Sequence, residues 1–314
     1  MRISTFLLAL LALTATGCAT APSQSAWSGG DVVIQFALKN GNAVVDCHHE
    51  LTELGVNRVS ARLRDARFYI SDVRLIDVSG QATPLHLTRT DWQYADVALL
   101  DFEDASGTCR GGTSGVNDVI KGWAPAGKYV GLSFQLGVPV SGETDSGTTV
   151  LLNHSSTETT PAPLDLAAMG WSWQAGRKFL KIEVEPEGGV LLLSGRVAQA
   201  WFVHLGSTGC IGNPASGETV TCANSNRLPV RFPVFNPTRQ QVVLDIGALF
   251  AGSDLNHDNG GAVGCMSGPD DPECPAIFQA IGLNLTDTPP GAGNSGRPIR
   301  SDGTSSIFRV EGRR

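Results

Sequence analysis

Four side chains that suit copper chemistry fall close together in the chain. His154 is followed by Met169, Trp171 and Trp173, although the whole sequence has only six His and three Met. Imidazole and thioether groups both bind copper, and the thioether favours Cu(I). In a β-strand the two Trp side chains would point to the same face, because side chains alternate with period two. The stretch therefore predicts either part of a metal site or a paired-aromatic core beside a buried, hydrogen-bonded His.

A second His stands at the end of an apolar segment that starts at Trp201. This residue, His204, is followed by the polar run Gly206–Cys210. A lone His on an apolar strand is more often a core residue whose hydrogen bonds are satisfied. Two neutral imidazoles, however, would give Cu(I) the low-coordination site that it tolerates. We therefore take His154 and His204 as candidate copper ligands, with Met169 and Trp173 as neighbours of the ligands or as packing residues.

The loop that begins at Asp254 has oxygen-bearing side chains on alternate residues. Asp254, Asn256 and Asp258 resemble the start of a calcium loop. An EF-hand needs Gly at its sixth position and Glu at its twelfth, where this chain has Asn259 and Cys265. The loop is a candidate calcium site, with a solvated turn as the default alternative.

Catalytic signatures are missing from the sequence. A secreted hydrolase would pair a Ser with His154 or His204, but there is no GxSxG, HExxH or paired-carboxylate motif. We therefore expect a protein that is not an enzyme. An envelope binding module with a purely structural aromatic core and no specific metal remains an alternative, and metal analysis of the purified protein would separate it from the copper hypothesis.

The cysteine count predicts an oxidising compartment. Besides Cys18 there are six cysteines, an even number that suits disulfides, and none of them forms a CxxC pair. Short spacings suggest two small closed loops and one remaining pair, but sequence alone does not settle connectivity. A thiolate metal site is the competing interpretation, although zinc ligands are usually spaced more tightly. The suggested pairs are Cys210 with Cys222, Cys265 with Cys274, and Cys47 with Cys109.

The first 18 residues have the layout of a secretory signal. Arg2 precedes a short apolar run, and the run ends in small residues before Cys18. The run is too short to span a membrane. Its ending resembles a bacterial lipobox with Ala15 in place of the usual Leu, so Cys18 is a candidate for lipidation and membrane attachment. We expect a periplasmic protein or a lipoprotein attached to the outer membrane.

Short β-branched and apolar runs recur between turn signals, which predicts an all-β fold, an antiparallel β-sandwich or barrel with long disulfide-tied loops. Only the segments 116–123 and 275–281 look helical. We expect one β-rich metal-binding domain over residues 19–285 and a Gly/Pro-rich tail over 286–314. The net charge of −7 argues against a nucleic-acid partner.

Many short motifs occur in an order that resembles the metallo-mystery-pair four-Cys-motif proteins, the MbnP-like family. The resemblance covers most of the chain after residue 18, and the ordered set is specific where WxW alone would be weak. The motifs are Arg67–Leu75, Ala98–Glu103, Gly137–Pro139, Asn153–His154, Trp171–Gln174, Lys178–Phe179, His204–Cys210, Asn226–Arg227 and Gly264–Ser267.

The resemblance implies a copper-binding protein whose partner is a di-haem protein of the MauG and cytochrome c peroxidase type. In that family the partner oxidises the first Trp of the WxW motif to kynurenine, which takes part in copper binding with histidines. Carried over, the modified residue is Trp171, and the ligands are His154 and His204. Two positions depart from the family pattern: Gly170 stands where a bulky aromatic is expected and Arg177 where Tyr is expected.

Overall fold

The longest strands alternate buried and exposed residues, as a sheet with one face on a core requires. In the first strand Val32, Ile34, Phe36 and Leu38 are buried, and the alternate residues Val33, Gln35 and Ala37 are more exposed. The structure is a computed structural model that describes residues 26–144, 146–172 and 174–313. The signal segment and Cys18 lie outside the described residues.

The described part of the chain contains twenty-three strands. The first eleven are β1 (Trp27–Asn40), β2 (Ala43–Val44), β3 (Glu50–Leu54), β4 (Val59–Asp77), β5 (Ala82–Pro84), β6 (His86–Leu87), β7 (Gln93–Tyr94), β8 (Val97–Asp101), β9 (Val119–Leu136), β10 (Ser141–Glu143) and β11 (Thr149–Leu151). The others are β12 (Gly170–Ser172), β13 (Gly176–Arg177), β14 (Leu180–Pro186), β15 (Val190–Leu192), β16 (Val197–Ala198), β17 (Trp201–Leu205), β18 (Thr208–Ile211), β19 (Thr221–Asn224), β20 (Leu228–Phe232), β21 (Gln240–Asp245), β22 (His257–Asp258) and β23 (Phe308–Gly312). The helices are α1 (Ile246–Phe250) and α2 (Cys274–Ile281), with 3₁₀ turns at Ala167–Met169 and Pro214–Ser216.

One large curled sheet contains fourteen of these strands, and its main path runs β17-β14-β4-β9-β1-β21-β23. Neighbours on this path are antiparallel, except that β1 and β21 are parallel. The predicted all-β fold is confirmed. The strand at one end of this path, β17, carries the candidate ligand His204.

The first strand, β1, changes partners along its length. Its first part pairs with β9, and from Phe36 onward it pairs with β21. Inside the curve Phe36, Phe68, Phe134 and Phe308 form four edge-to-face pairs, with ring centroids 5.4–6.3 Å apart. Such pairs contribute about 0.5 to 1.5 kcal/mol each beyond the burial of their area. This aromatic cluster forms the centre of the core.

The six cysteines form the three suggested bridges, so the disulfide prediction is confirmed. The pairs are Cys47–Cys109, Cys210–Cys222 and Cys265–Cys274. Cys47, Cys109, Cys265 and Cys274 are buried, whereas Cys210 and Cys222 are partly exposed. The Cys210–Cys222 bridge is therefore the one nearest to solvent.

We expect thiol titration of the denatured but unreduced protein to find almost no free thiol from these six residues. Each closed loop of this kind contributes roughly 2 to 4 kcal/mol to stability, so full reduction should also lower the unfolding midpoint clearly. Several free thiols per chain would contradict the disulfide assignment.

One of the two predicted helices is confirmed and the other is wrong. The segment 275–281 lies within α2. The segment 116–123 instead enters β9, where Val119 pairs with Gln35 and Ile120 with Ile34 of β1. The apolar spacing of this segment fits a helix, but pairing with β1 imposes the extended conformation.

The predicted tail ends in a strand of the main sheet. Residues 286–306 contain no strand or helix, but β23 follows them and pairs with β21, and Phe308 is only 2% exposed. The domain boundary at residue 285 stays a prediction. In the described ranges no helix is long and apolar enough to cross a membrane.

Candidate metal centre

The loop that carries His154 is held by the side chain of Arg177. Arg177 is 1% exposed, and its guanidinium donates to the backbone oxygens of Leu152, Asn153 and Ser155 at 2.7–3.0 Å and to that of Leu164 at 3.1 Å. Burial lowers the pKa of Arg177, but a guanidinium stays charged in proteins. A guanidinium has five N–H donors in a fixed planar arrangement, so it can bind several converging carbonyl oxygens at once. The single hydroxyl of a Tyr cannot do this.

The neighbouring backbone approaches the loop closely at Gly176. Gly176 has φ +80°, and a Cβ there would lie 2.5 Å from Asn153 Oδ1. The same Oδ1 accepts a hydrogen bond from the backbone N–H of Arg177 at 2.9 Å. The side-chain amide of Asn153 is thereby oriented, with its NH₂ group turned toward the imidazole of His154.

His154 is 3% exposed, and its two ring nitrogens have different surroundings. Nε2 lies 3.1 Å from Asn153 Nδ2 and 3.7 Å from Cys222 Sγ. Because Asn153 Nδ2 is a donor, Nε2 is the acceptor and carries the lone pair of the neutral ring. Nδ1 is buried without a hydrogen bond of acceptable geometry.

Burial lowers the pKa of His154, and the nearby positive charges of Arg177 and Arg227 lower it further. The backbone of Gln174 opposes this pKa shift. Neutral imidazole is the form that binds metals, so the shift favours ligation at and below neutral pH.

His204 is oriented by a carboxylate on the next strand. Its Nε2 lies 2.9 Å from Oε1 of Glu183, which sits on β14 beside β17. Burial alone would raise the pKa of Glu183, but hydrogen bonds and charge from His204 and Lys181 outweigh it and lower the pKa to about 2. The ionised carboxylate accepts a hydrogen bond from the Nε2–H group, which leaves the lone pair of the neutral ring on Nδ1. A carboxylate that fixes the tautomer of a His in this way is typical of metal ligands.

The pKa of His204 is lowered from its ordinary value, first by burial and then by the positive charges of Lys178 and Lys181; Glu183 opposes both effects. Glu183 also contacts Lys181 at 3.0 Å and Arg64 at 3.2 Å. Glu183 is thus part of a compensated ion cluster, and the ring of His204 remains neutral at pH 7.

Trp171 lies beside His204 and lines a cavity with His154. Its ring centroid lies 6.3 Å from that of His204 at an interplanar angle of 85°. Together with His154 it lines a cavity of about 570 Å³. The edge of the indole packs on the backbone after β17, where a Cβ on Gly206 would lie 3.0 Å from Cε3 and Cζ3. The indole is partly exposed, so it remains reachable from outside.

Met169 and Trp173 are the two other residues predicted near the ligands. Met169 is fully buried within the hydrophobic core, and Trp173 lies outside the described residues. A different thioether, Met266, lines a second cavity of about 340 Å³ with Trp171 and Cys210. Sequence reasoning considered Met169 for this role because of its short distance in sequence from Trp171.

The candidate calcium loop is folded by its own hydrogen bonds. Asp254 accepts from Asn57 Nδ2, from the N–H of Asn256 and from His257 Nδ1, at 2.7–3.0 Å. Asp258 accepts from the N–H groups of Gly260 and Gly264. Within the described residues, neither carboxylate belongs to a group of three His, Cys, Asp or Glu ligand atoms lying within 4.8 Å of one another.

Such a group does occur at His154. Its imidazole and the Sγ atoms of Cys210 and Cys222 all lie within 4.8 Å of one another. The two sulfurs are joined in a disulfide, so they are not thiolates here. Sequence reasoning paired these cysteines correctly but had no signal for their approach to His154, which is 68 residues from Cys222.

Replacing Arg177 with Leu is expected to destabilise the protein by about 2 to 4 kcal/mol, because four buried carbonyls lose their donor. Arg177→Lys should recover only part of the loss, since an ammonium lacks the planar fork. Chemical denaturation measures both, with the exposed Arg74→Leu as the matched control. Wild-type stability of Arg177→Leu would show that the loop is held by other contacts.

The chain is similar to known proteins over most of its length. A family model, MbnP, matches residues 29–267, a range that includes His154, Trp171 and His204. The solved structure "MbnP from Methylosinus trichosporium" is 48% identical, with a TM-score of 0.85, and the match covers 90% of this chain and 99% of that chain. No curated protein matches the chain.

Proposed function

This chain belongs to the MbnP family, and from that premise we propose that it is an exported protein of the bacterial cell envelope that binds one copper ion. Two imidazoles, those of His154 and His204, and a kynurenine formed from Trp171 hold the ion, mainly as Cu(I). The protein serves copper homeostasis and is not itself an enzyme.

The observation that carries the proposal is that one partly exposed indole lies beside one imidazole and lines a cavity with the other. The ring centroids of Trp171 and His204 are 6.3 Å apart, and Trp171 lines a cavity with the buried His154. His154 keeps a lone pair on Nε2, and Glu183 leaves the lone pair of His204 on Nδ1. Imidazole suits copper, and Cu(I) tolerates few ligands.

An unmodified indole adds no ligand, since its N–H is a donor without a lone pair in the ring plane. Oxidative cleavage of the C2–C3 bond by an O₂- or peroxide-derived oxidant, followed by hydrolytic loss of the C2 carbon as formate, leaves an aromatic amine and a ketone. Either group can coordinate a metal or orient another ligand. The proposed oxidant acts through a di-haem partner of the MauG and cytochrome c peroxidase type.

The proposed location is the periplasm or the outer membrane, with attachment through lipidated Cys18. The three disulfides support an oxidising compartment. As for the hydrolase alternative, the ring nitrogens of His154 and His204 contact Asn153, Cys222 and Glu183 in the described structure, and no serine hydroxyl is among these contacts.

The proposal is tested by producing the protein with and without the di-haem partner. Copper per chain and the mass of the peptide that contains Trp171 are measured on both preparations. We expect about one copper per chain and an oxidised Trp only with the partner. A chain without stoichiometric copper in both preparations would favour the metal-free binding module.

A further inference from the structure

We propose that reduction of the Cys210–Cys222 disulfide creates a second, soft metal site in which His154 and the two cysteine thiolates bind Cu(I). This site shares His154 with the proposed copper site but uses neither His204 nor Trp171. It therefore goes beyond the proposed function and can be tested without it.

The ligand atoms are already close. His154 and the two sulfurs lie within 4.8 Å of one another, and His154 Nε2 is 3.7 Å from Cys222 Sγ. Nε2 is also the ring atom that carries the lone pair, as the orientation of Asn153 shows. Metal–sulfur and metal–nitrogen bonds are roughly 2.0 to 2.3 Å long, so one ion bridging such atoms requires only small movements.

The placement of the two cysteines does not depend on the disulfide alone. Cys210 and Cys222 are opposite each other in the antiparallel ladder of β18 and β19, between the pairs Thr208–Asn224 and Ile211–Thr221. Asn224 Nδ2 also donates to Thr208 Oγ1 at 3.0 Å across the ladder. After reduction the ladder keeps the two side chains adjacent, because cross-strand neighbours stay about 4.5 to 5.5 Å apart.

The other side of the site is equally constrained. His154 is held by the loop that Arg177 ties down, and this loop is separate from the β18–β19 hairpin. The guanidinium of Arg177 donates to the backbone oxygens of Asn153 and Ser155, on either side of His154 in the chain. Its positive charge therefore partly offsets the negative charge that two thiolates bring to the Cu(I) complex.

The chemistry of the donors selects the metal. Two thiolates and an imidazole form a soft ligand set, which prefers Cu(I) over hard cations. Opening the bridge consumes two electrons and two protons and yields two thiols. The electrons come from a dithiol or phosphine reductant, and Cu(I) then displaces the two thiol protons on binding.

Accessibility makes this bridge the first to react. Cys210 and Cys222 are partly exposed, whereas the four cysteines of the other bridges are at most 3% exposed. Thiol–disulfide exchange requires access to a sulfur atom. A mild reductant should therefore open Cys210–Cys222 while the buried bridges stay closed.

The test uses the His204→Ala variant made without the partner, so that the proposed copper site is disabled. The folded variant is treated anaerobically with a phosphine and desalted, and alkylation with mass mapping identifies which cysteines are free. Cu(I) is then titrated in against a chromogenic chelator, and sulfur-to-copper charge-transfer absorption is recorded. The oxidised variant is the matched control.

We expect free thiols at Cys210 and Cys222 only, and about one Cu(I) per chain with sulfur ligation in the reduced sample alone. Alkylating the two thiols should remove this binding, as should the double substitution Cys210→Ser with Cys222→Ser. Adding His154→Ala should weaken binding by about tenfold or more.

Three results would overturn the proposal: no reduction of this bridge in the folded protein, no extra Cu(I) after reduction, or full Cu(I) affinity without His154. Because wild-type oxidised protein made with the partner is measured separately, loss of the proposed function would be recognised independently of these results.

Discussion

His154→Ala and His204→Ala are each expected to abolish tight copper binding in protein made with its oxidising partner. Loss of an outer partner of a ligand costs about 10- to 100-fold in metal affinity, and loss of the ligand itself should cost more. Copper content after dialysis and competition with a Cu(I) chelator measure the effect. His86→Ala is the matched control, since His86 is exposed on β6 and packs beside Trp123.

The metal-free fold should tolerate both substitutions. The Nδ1 atom of His154 makes no hydrogen bond of acceptable geometry, and Glu183 keeps Lys181 and Arg64 as partners when His204 is removed. We expect unfolding free energies within about 1 to 2 kcal/mol of metal-free wild type. If both variants hold copper at wild-type stoichiometry, the ligand assignment is wrong.

Trp171→Phe should abolish both the oxidative modification and tight copper binding. Phe keeps an aromatic ring to pack on Gly206 but has no indole nitrogen, so it cannot yield the aromatic amine and ketone of kynurenine. The fold should therefore persist while the site is lost. Peptide mass spectrometry and copper per chain, on protein made with the partner, report the two effects separately.

Trp173→Phe serves as the comparison for this prediction. It removes an indole two positions away and should leave residue 171 oxidisable, with weaker packing as its main effect. Trp123→Phe, on an exposed part of β9, is the background control. Full copper loading in protein made without the partner, with Trp171 intact, would contradict the mechanism and leave a plain two-histidine site.

Sequence patterns were sufficient for the β-rich class and suggested the disulfide pairs, which only the structure settles. The residue order of strands such as β1 already predicts that every second side chain is buried, because alternate side chains face opposite sides of the sheet. The short sequence separations within Cys210–Cys222 and within Cys265–Cys274 indicated these two pairs. Spacing failed at 116–123, where Val119 and Ile120 fit a helix but are strand residues paired with β1. Cross-strand pairing is a long-range contact that a local pattern does not contain.

The candidate ligands could be named from residue chemistry, but their surroundings could not. Arg177 looked like a departure from a motif, and only the fold shows that its guanidinium ties down the loop of His154. Nothing in the sequence marked Glu183 as a partner of His204. Its side chain reaches His204 only because β14 and β17 pair in one register. Met266, not Met169, lines a cavity with Trp171.

The sequence by itself determined which chemical groups this protein can offer: imidazoles, an oxidisable indole and cysteines that pair. The tertiary structure decided which of their atoms are free. Asn153 and Glu183 determine which ring nitrogen carries the lone pair in His154 and in His204. Cys222 lies beside His154 although the two residues are 68 positions apart in the sequence. The tautomer of a His and its alignment with a metal depend on contacts in which a difference of a few tenths of an ångström matters. Such contacts arise only when separate strands and loops pack together.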